Sequence, residues 1–339
     1  MADNSNLHMS RSGKTDEFYT QLSTIEEELR HYRNYFKGKV VLCNCDDPYE
    51  SNFFKYFALN FNTLELRKLI TTCYATSPII YTQLTLFSEE EILFTEKEGK
   101  KPYKIEITEV KNEDGNNTVD LSDVEYLLRN NKNSLTLLAG DGDFRSSECL
   151  SLLEECDIVV TNPPFSLMKE YIPIMMNMSK QFIILGNINH ITLSEVKPFI
   201  LEENMWLGYN SGHFWFKVPD YYEAKETDYK EDENGQKWRR MGNSCWFTNF
   251  DLPKRHIPLD LYAKYKSEKY PFYDDHDAIE CGTYKEIPED YYGVIGVPIT
   301  YLPHHCAEQF EIIEIVTPKI NKKSKYKRLL IRRKISNGN

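Results

Sequence analysis

Four consecutive residues, Asn162-Pro163-Pro164-Phe165, follow the apolar run DIVVT at 157–161 and carry the most specific chemistry in the chain. An exocyclic amine on a purine is a poor nucleophile because its lone pair is delocalised into the ring. The Asn162 side-chain oxygen and the Pro163 carbonyl can both accept hydrogen bonds from such an amine. That favours a pyramidal nitrogen and stabilises the positive charge that grows as the nitrogen is alkylated. Pro163 and Pro164 hold the acceptors in a fixed geometry, and Phe165 offers a flat apolar face to a base. Holding a methyl donor and the nitrogen in line can supply much of the ~7–11 kcal/mol available from orientation. At average composition an N-P-P-aromatic tetrapeptide arises by chance in on the order of a few chains per thousand of this length. The reading without chemistry is a stiff strand-to-helix turn.

The elements that would position this tetrapeptide recur along the chain. Residues 25–36 (IEEELRHYRNYF) place Ile25, Leu29, Tyr32 and Phe36 on one helical stripe. The strand Val40-Val41-Leu42-Cys43 ends in a polar loop at 44–49, and Ser51 can cap a helix whose aromatics (NFFKYFALNF) fit a buried face. Further strands are expected at 68–74, 135–139, 157–161 and 181–185, and helices at 120–130, 147–155 and 167–178, with a kink at Pro173. Residues 76–118 interrupt this order and read as an insertion or edge hairpin, with one alternating stretch, YKIEITEV, and a turn at Asp114-Gly115. Strands alternating with amphipathic helices predict βαβ units, hence an α/β fold with a mostly parallel, doubly wound sheet. Ligands collect beyond the carboxyl ends of such strands, which fall at 44–48, 140–144 and 162–165. Residues 1–15 read as a flexible tail and 16–250 as the catalytic domain. From 251 to 339 the sequence turns aromatic, proline-punctuated and basic, which suggests a smaller recognition region.

Composition narrows the class. Hydrophobic residues make up 41% of the 339, enough for a real core. No apolar run approaches the ~20 residues that span a bilayer, so no membrane partner is expected. The first fifteen residues lack an apolar secretory segment. Cys43, Cys45, Cys73, Cys149, Cys156, Cys245, Cys281 and Cys306 form no C-x-x-C pair. Free thiols in a cytoplasmic, reducing setting are therefore expected. His213, His256, His276, His304 and His305 show no ligand spacing, so no metal is expected.

Longer segments carry a resemblance. DEFYTQ (16–21), VVLCNCDDPYESNFFKYFALNF (40–61), GDGDFRSSE (140–148), DIVVTNPPFSL (157–167) and YGVIGVPITYL (292–302) resemble, in the same order, the EcoRI-type adenine-specific DNA methyltransferases. The resemblance implies a Rossmann-like class I methyltransferase fold, S-adenosylmethionine as methyl donor and N6 methylation of adenine in duplex DNA. It further implies a modification enzyme with a cognate restriction endonuclease as functional partner, and GAATTC as a candidate site. On the matching positions, Asp16, Phe18, Tyr19 and Thr20 would line the methionine end of the cofactor. Asn44, Cys45, Asp46 and Asp47 would form its first loop, and Asp141 or Asp143 would accept from its adenine amine. Asn162 would border both cofactor and base. Two departures stand out: the first loop has no G-x-G, and no acidic residue ends the second strand at Cys73 and Tyr74 to grip the ribose.

A base in duplex DNA cannot present its amine in line to a buried methyl donor, so it must rotate out at a cost of a few kcal/mol. Stacking on Phe165 returns roughly 1–3 kcal/mol, and phosphate contacts must help. The net charge is -11, yet residues 318–339 hold nine Lys/Arg and no acid, leaving -20 on residues 1–317. Lys237, Arg239 and Arg240 around Trp238, together with Lys322, Lys323 and Lys325 in the basic end, are the candidate DNA contacts. A monomer is expected. Rival readings are methylation of RNA adenine or of a protein glutamine, and a non-catalytic DNA-binding protein on a methyltransferase scaffold.

Overall fold

The computed structural model describes residues 19–45, 51–73, 102–111, 135–218 and 227–335, with single positions at 120, 123, 124, 126 and 223. Asp16, Phe18, Asp46, Asp47, the tail at 1–15, and most of 76–118 and of 120–130 lie outside the described residues. The chain forms two compact units, Met1–Gly186 with Gly212–Ser244, and Asn187–Ser211 with Cys245–Asn339. One cut at residue 250 therefore does not describe the division. Two long strands, described below, each cross a boundary and carry the chain from one unit to the other.

In the first unit, β1 (Tyr19–Thr20), β2 (Val40–Cys43), β3 (Lys68–Thr72), β4 (Tyr103–Ile107), β5 (Leu135–Leu137), β6 (Ile158–Thr161) and β7 (Gln181–Asn187) are interleaved with helices. These are α1 (Leu22–Leu29), α2 (Asn52–Leu59), α3 (Ser147–Glu155) and α4 (Met168–Asn177). The strand order is β7-β6-β2-β3-β4-β5. β2 runs parallel to β3 (Cys43↔Thr71) and to β6 (Leu42↔Val159), and β6 runs parallel to β7 (Thr161↔Ile184). β2 and β6 are buried throughout, as strands covered on both faces must be, which is why VVLC and IVVT are continuous apolar runs.

The alternating YKIEI stretch, read as part of an insertion or edge hairpin, forms the strand next to the sheet's outermost one. β4 pairs antiparallel with β3 on one side and β5 on the other, so it lies inside the sheet and β5 is the outer strand. Tyr103, Ile105 and Ile107 are buried and Lys104 and Glu106 half-exposed, the alternation of a strand with one face on the core. The helix expected over 25–36 stops at Leu29, and a 3-10 turn follows at Arg33–Tyr35. All four stripe residues are nevertheless fully buried, and Tyr32 donates to the buried Glu28 carboxylate at 2.8 Å. Ser51 caps α2 by accepting from the Phe53 and Phe54 N–H groups. Pro173 lies within α4, which continues through it.

β8 (Trp206–Lys217) and β10 (Lys237–Thr248) are the boundary-crossing strands, and β9 (Tyr229–Glu231) pairs with the start of β10. β1 pairs antiparallel with the end of β8 (Thr20↔Phe216). The second unit adds α5 (Lys197–Leu201), β11 (Ile279–Glu280), β12 (Val294–Pro298), β13 (Phe310–Val316), β14 (Lys319–Ile320), β15 (Lys323–Ser324) and β16 (Arg328–Arg333). Its main sheet has the order β11-β12-β16-β13. Part of the basic end is thus an internal strand. Arg328 is buried and bonds Glu280 through Nη2 (2.7 Å) and Nε (3.1 Å), while Tyr273 donates to the same carboxylate. Among the described residues, no helix is long and apolar enough to cross a membrane.

Candidate active site

Because β2, β3 and β6 run parallel side by side, their carboxyl ends open on one edge of the first unit's sheet. Carrying the registers on, one step past Cys43↔Thr71 and two past Leu42↔Val159, sets Asn44 level with Thr72 and Thr161. Asn162 leaves β6 at this edge, half-buried, with its Oδ1 buried. Pro163 is buried, and Pro164 and Phe165 are half-buried. Phe165 opens a 3-10 turn, Phe165–Leu167, that feeds α4. The tetrapeptide therefore occupies a strand-to-helix turn, and its backbone is fixed at the proline φ values.

Behind the turn, α4 is tied to the other loops. Tyr171 is fully buried and donates its hydroxyl to Asn44 Oδ1 at 2.5 Å. The Phe144 ring meets the Tyr171 ring edge-on at 5.0 Å, and the Arg145 guanidinium lies over Phe144 at 5.3 Å. Arg145 donates to both oxygens of Asp143 (2.8 and 2.6 Å) and to Glu170 on α4 (2.5 Å). Those hydrogen bonds hold the Asp143 carboxyl below its ordinary pKa. Asp141 is exposed and accepts from the Asp143 N–H through Oδ1 (3.0 Å). The turn passes through Gly142 at φ +77, where a Cβ would collide with the Cys73 carbonyl and meet Pro102 Cβ at 2.8 Å. Only glycine lets the acidic turn pack so close to the end of β3.

The start of the described chain is held at the same edge. The Thr20 carbonyl accepts from Asn52 Nδ2 (2.7 Å) at the start of α2, and Gln21 Nε2 donates to the Trp215 carbonyl (2.9 Å). Tyr19 contributes backbone pairing with Lys217. Thr20 Oγ1 and Thr72 Oγ1 are buried hydroxyls with no hydrogen-bond partner among the described residues. Unmet groups of this kind invite a ligand or a water. Cys45, half-buried, follows Asn44 and lies within 3.7 Å of its Oδ1.

The candidate DNA contacts divide between the units. In the first, Arg239 Nη1 donates to the Thr227 carbonyl (2.6 Å), and Arg240 forms an ion pair with Asp228. Lys230 and Arg240 lie over the Trp215 ring at 4.5 and 5.8 Å, and Lys237 sits at the head of β10. In the second, Lys322 and Lys323 are exposed at the β14–β15 hairpin, and Lys325 Nζ lies 3.8 Å from Glu280. Sequence reasoning missed Tyr171, Arg145 and Glu170. The D-x-R spacing of Asp143 and Arg145 was a usable signal for an ion pair. Nothing local links Asn44 to a tyrosine 127 positions away.

Comparison with known proteins gives the family. The family model described as adenine-specific methyltransferase EcoRI matches residues 6–338. The Type II methyltransferase M.EcoRI of Escherichia coli is 43% identical over 343 residues, covering 98% of this chain and 98% of its own. M.MpnI of Mycoplasma pneumoniae is 32% identical over 314 residues, covering 91% and 85%, and M.MgeORF184P of Mycoplasma genitalium is 30% identical over the same length with the same coverage. No solved structure matches.

Proposed function

The chain belongs to the EcoRI family of adenine-specific methyltransferases, and from that premise we propose that it moves the methyl group of S-adenosylmethionine to N6 of an adenine rotated out of duplex DNA, as the modification partner of a restriction endonuclease. The observation that carries the mechanism is the position of Asn162-Pro163-Pro164-Phe165 at the tip of β6, one strand from the Asn44 loop.

The groups present suit the cofactor. The unmet hydroxyls of Thr20 and Thr72 and the amide nitrogen of Asn44 can meet its carboxylate, ammonium and ribose hydroxyls. Of the two acidic candidates, Asp143 already gives both oxygens to Arg145, which favours Asp141 as the acceptor for the adenine amine. Asp16, Phe18, Tyr19, Cys45, Asp46 and Asp47 complete the proposed cofactor set. S-adenosylmethionine supplies an electrophilic methyl carbon and leaves as a neutral thioether.

The protein's share of the reaction is positional and electrostatic. Phe165 stacks on the extruded adenine. Asn162 Oδ1 and the Pro163 carbonyl accept from the N6 hydrogens, so the lone pair points at the methyl carbon and the charge developing on nitrogen is stabilised. The N–C bond forms as the C–S bond breaks. The resulting ammonium is acidic and loses its proton to solvent, so no strong base is needed. Lys237, Arg239 and Arg240 are proposed contacts to the DNA backbone.

The test is transfer of labelled methyl from the cofactor to duplexes with and without GAATTC, alongside RNA and protein acceptors. Label in N6-methyladenine of duplex DNA is expected. Label confined to RNA or protein overturns the reading. Absence of cofactor binding by calorimetry favours the non-catalytic alternative.

A further inference from the structure

In the second unit, β14 and β15 form a two-stranded hairpin in which Lys319 faces Ser324 and Ile320 faces Lys323. The two turn residues, Asn321 and Lys322, both adopt left-handed backbone, φ +50 and +64. A two-residue hairpin turn asks for that conformation, and glycine is the usual second residue. Here a lysine stands in its place despite the clash of its Cβ with the following carbonyl. Asp274 holds the strained pair: its Oδ1 accepts from the Asn321 N–H (3.2 Å) and its Oδ2 from the Lys322 N–H (2.6 Å). Asp275 Oδ1 accepts from the Lys319 N–H (3.0 Å), and the Asp274 N–H donates to the Lys319 carbonyl (2.8 Å).

The nearby carboxylates thus face the hairpin's backbone rather than its ammonium groups. Some cations of this unit meet acids directly, as in Arg328–Glu280, Arg332–Glu311 and Lys197–Glu314, while others, such as Lys266, Lys269 and Lys327, do not. Lys322 and Lys323 are exposed and form no ion pair with any described residue. A chain with -11 net charge therefore exposes two ammonium groups side by side at this hairpin, one on the turn and one at the start of β15. Strain kept at a lysine where glycine would serve points to a use for that side chain.

We infer that this hairpin is a preformed clamp for the phosphate backbone of duplex DNA, an inference that rests on the DNA-methyltransferase reading above. Duplex DNA offers one negative charge per ~1.7 Å of its axis. A turn already ordered by Asp274 loses little further freedom when it binds.

Duplex binding by the full chain across a salt series tests the clamp. Each phosphate contact contributes about 0.9 to the slope of log affinity against log salt. Replacing both Lys322 and Lys323 by Ala should lower that slope by about 1.8 and weaken cognate and unrelated duplexes by the same factor; an unchanged slope overturns the clamp. Lys322→Gly suits the turn better and keeps the fold, so it should lower the slope by about 0.9 with no loss of melting temperature. Asp274→Ala gives a test of sign. Charge alone predicts tighter DNA binding when an acid is removed, whereas the clamp predicts weaker binding, and tighter binding overturns it. Methyl transfer to DNA with no slope change in the lysine variants sinks the clamp alone. Full salt dependence without any methyl transfer sinks the methyltransferase reading alone.

Discussion

In the first unit, the Tyr171 hydroxyl donates to the neutral Asn44 side chain at the sheet's carboxyl edge. In the second, Tyr273 donates to Glu280, which also takes both arms of Arg328. The second arrangement is closed. Both carboxylate oxygens are engaged, the Glu280 and Arg328 side chains are only 9% and 11% exposed, and Tyr273 lies so near Gly296 that any Cβ there would overlap its hydroxyl. The first is open. Asn44 is fixed through its oxygen, and among the described residues its amide N–H groups and the hydroxyls of Thr20 and Thr72 have no partner. A polar group that only holds the fold can have all its valences filled locally, whereas a group that handles a ligand must be fixed through one atom and keep another.

That contrast can be broken in order of expected effect. Arg328→Met should cost about 3–5 kcal/mol of stability, since it leaves a buried carboxylate without its bidentate partner. Denaturant unfolding measures this, and a loss under about 1 kcal/mol would mean the triad is not closed as described. Asn162→Ala should leave stability and cofactor affinity nearly unchanged and lower turnover by about 10²–10³-fold, the scale of losing one preorganised hydrogen bond to developing charge. Single-turnover transfer checks it, and unchanged turnover contradicts the assigned role.

Phe165→Ala should cost about 1–3 kcal/mol in kcat/KM for DNA, while calorimetry finds the cofactor bound as before; equal loss of both would tell against stacking. Gly142→Ala combines left-handed strain of about 1–2 kcal/mol with a clash against the Cys73 carbonyl. It should weaken cofactor binding more than it slows saturated turnover. Tyr171→Phe is the mildest, about 1 kcal/mol in melting experiments. A much larger loss would make Tyr171 as closed a contact as Tyr273.

Much of the first unit was readable because its signals are local. Short, mainly apolar runs mark strands buried on both faces, and VVLC, IVVT and FIIL became the parallel core, joined by the β-branched KLITT. Ser51 announced its helix by hydroxyl chemistry that acts within three residues. What escaped depends on distant partners. YKIEI alternates whether it lies at an edge or between strands, and only its pairing with β3 and β5 decides. RLLIRR looks like a charged end until Glu280, 48 positions earlier, accepts Arg328. In the candidate site the tetrapeptide itself was legible, but not the chain of contacts through Tyr171, Phe144 and Arg145, because it joins three loops far apart in sequence.

β8 and β10 have a further consequence. The polypeptide passes between the units at 186/187, 211/212 and 244/245. A gene exchange that replaced only the portion encoding 245–339 would give the second unit a foreign partner for its own 187–211 segment. Swapping that unit between related enzymes therefore takes paired crossovers on both sides of 212–244, and natural mosaics of such genes should show inherited blocks in two pieces rather than one.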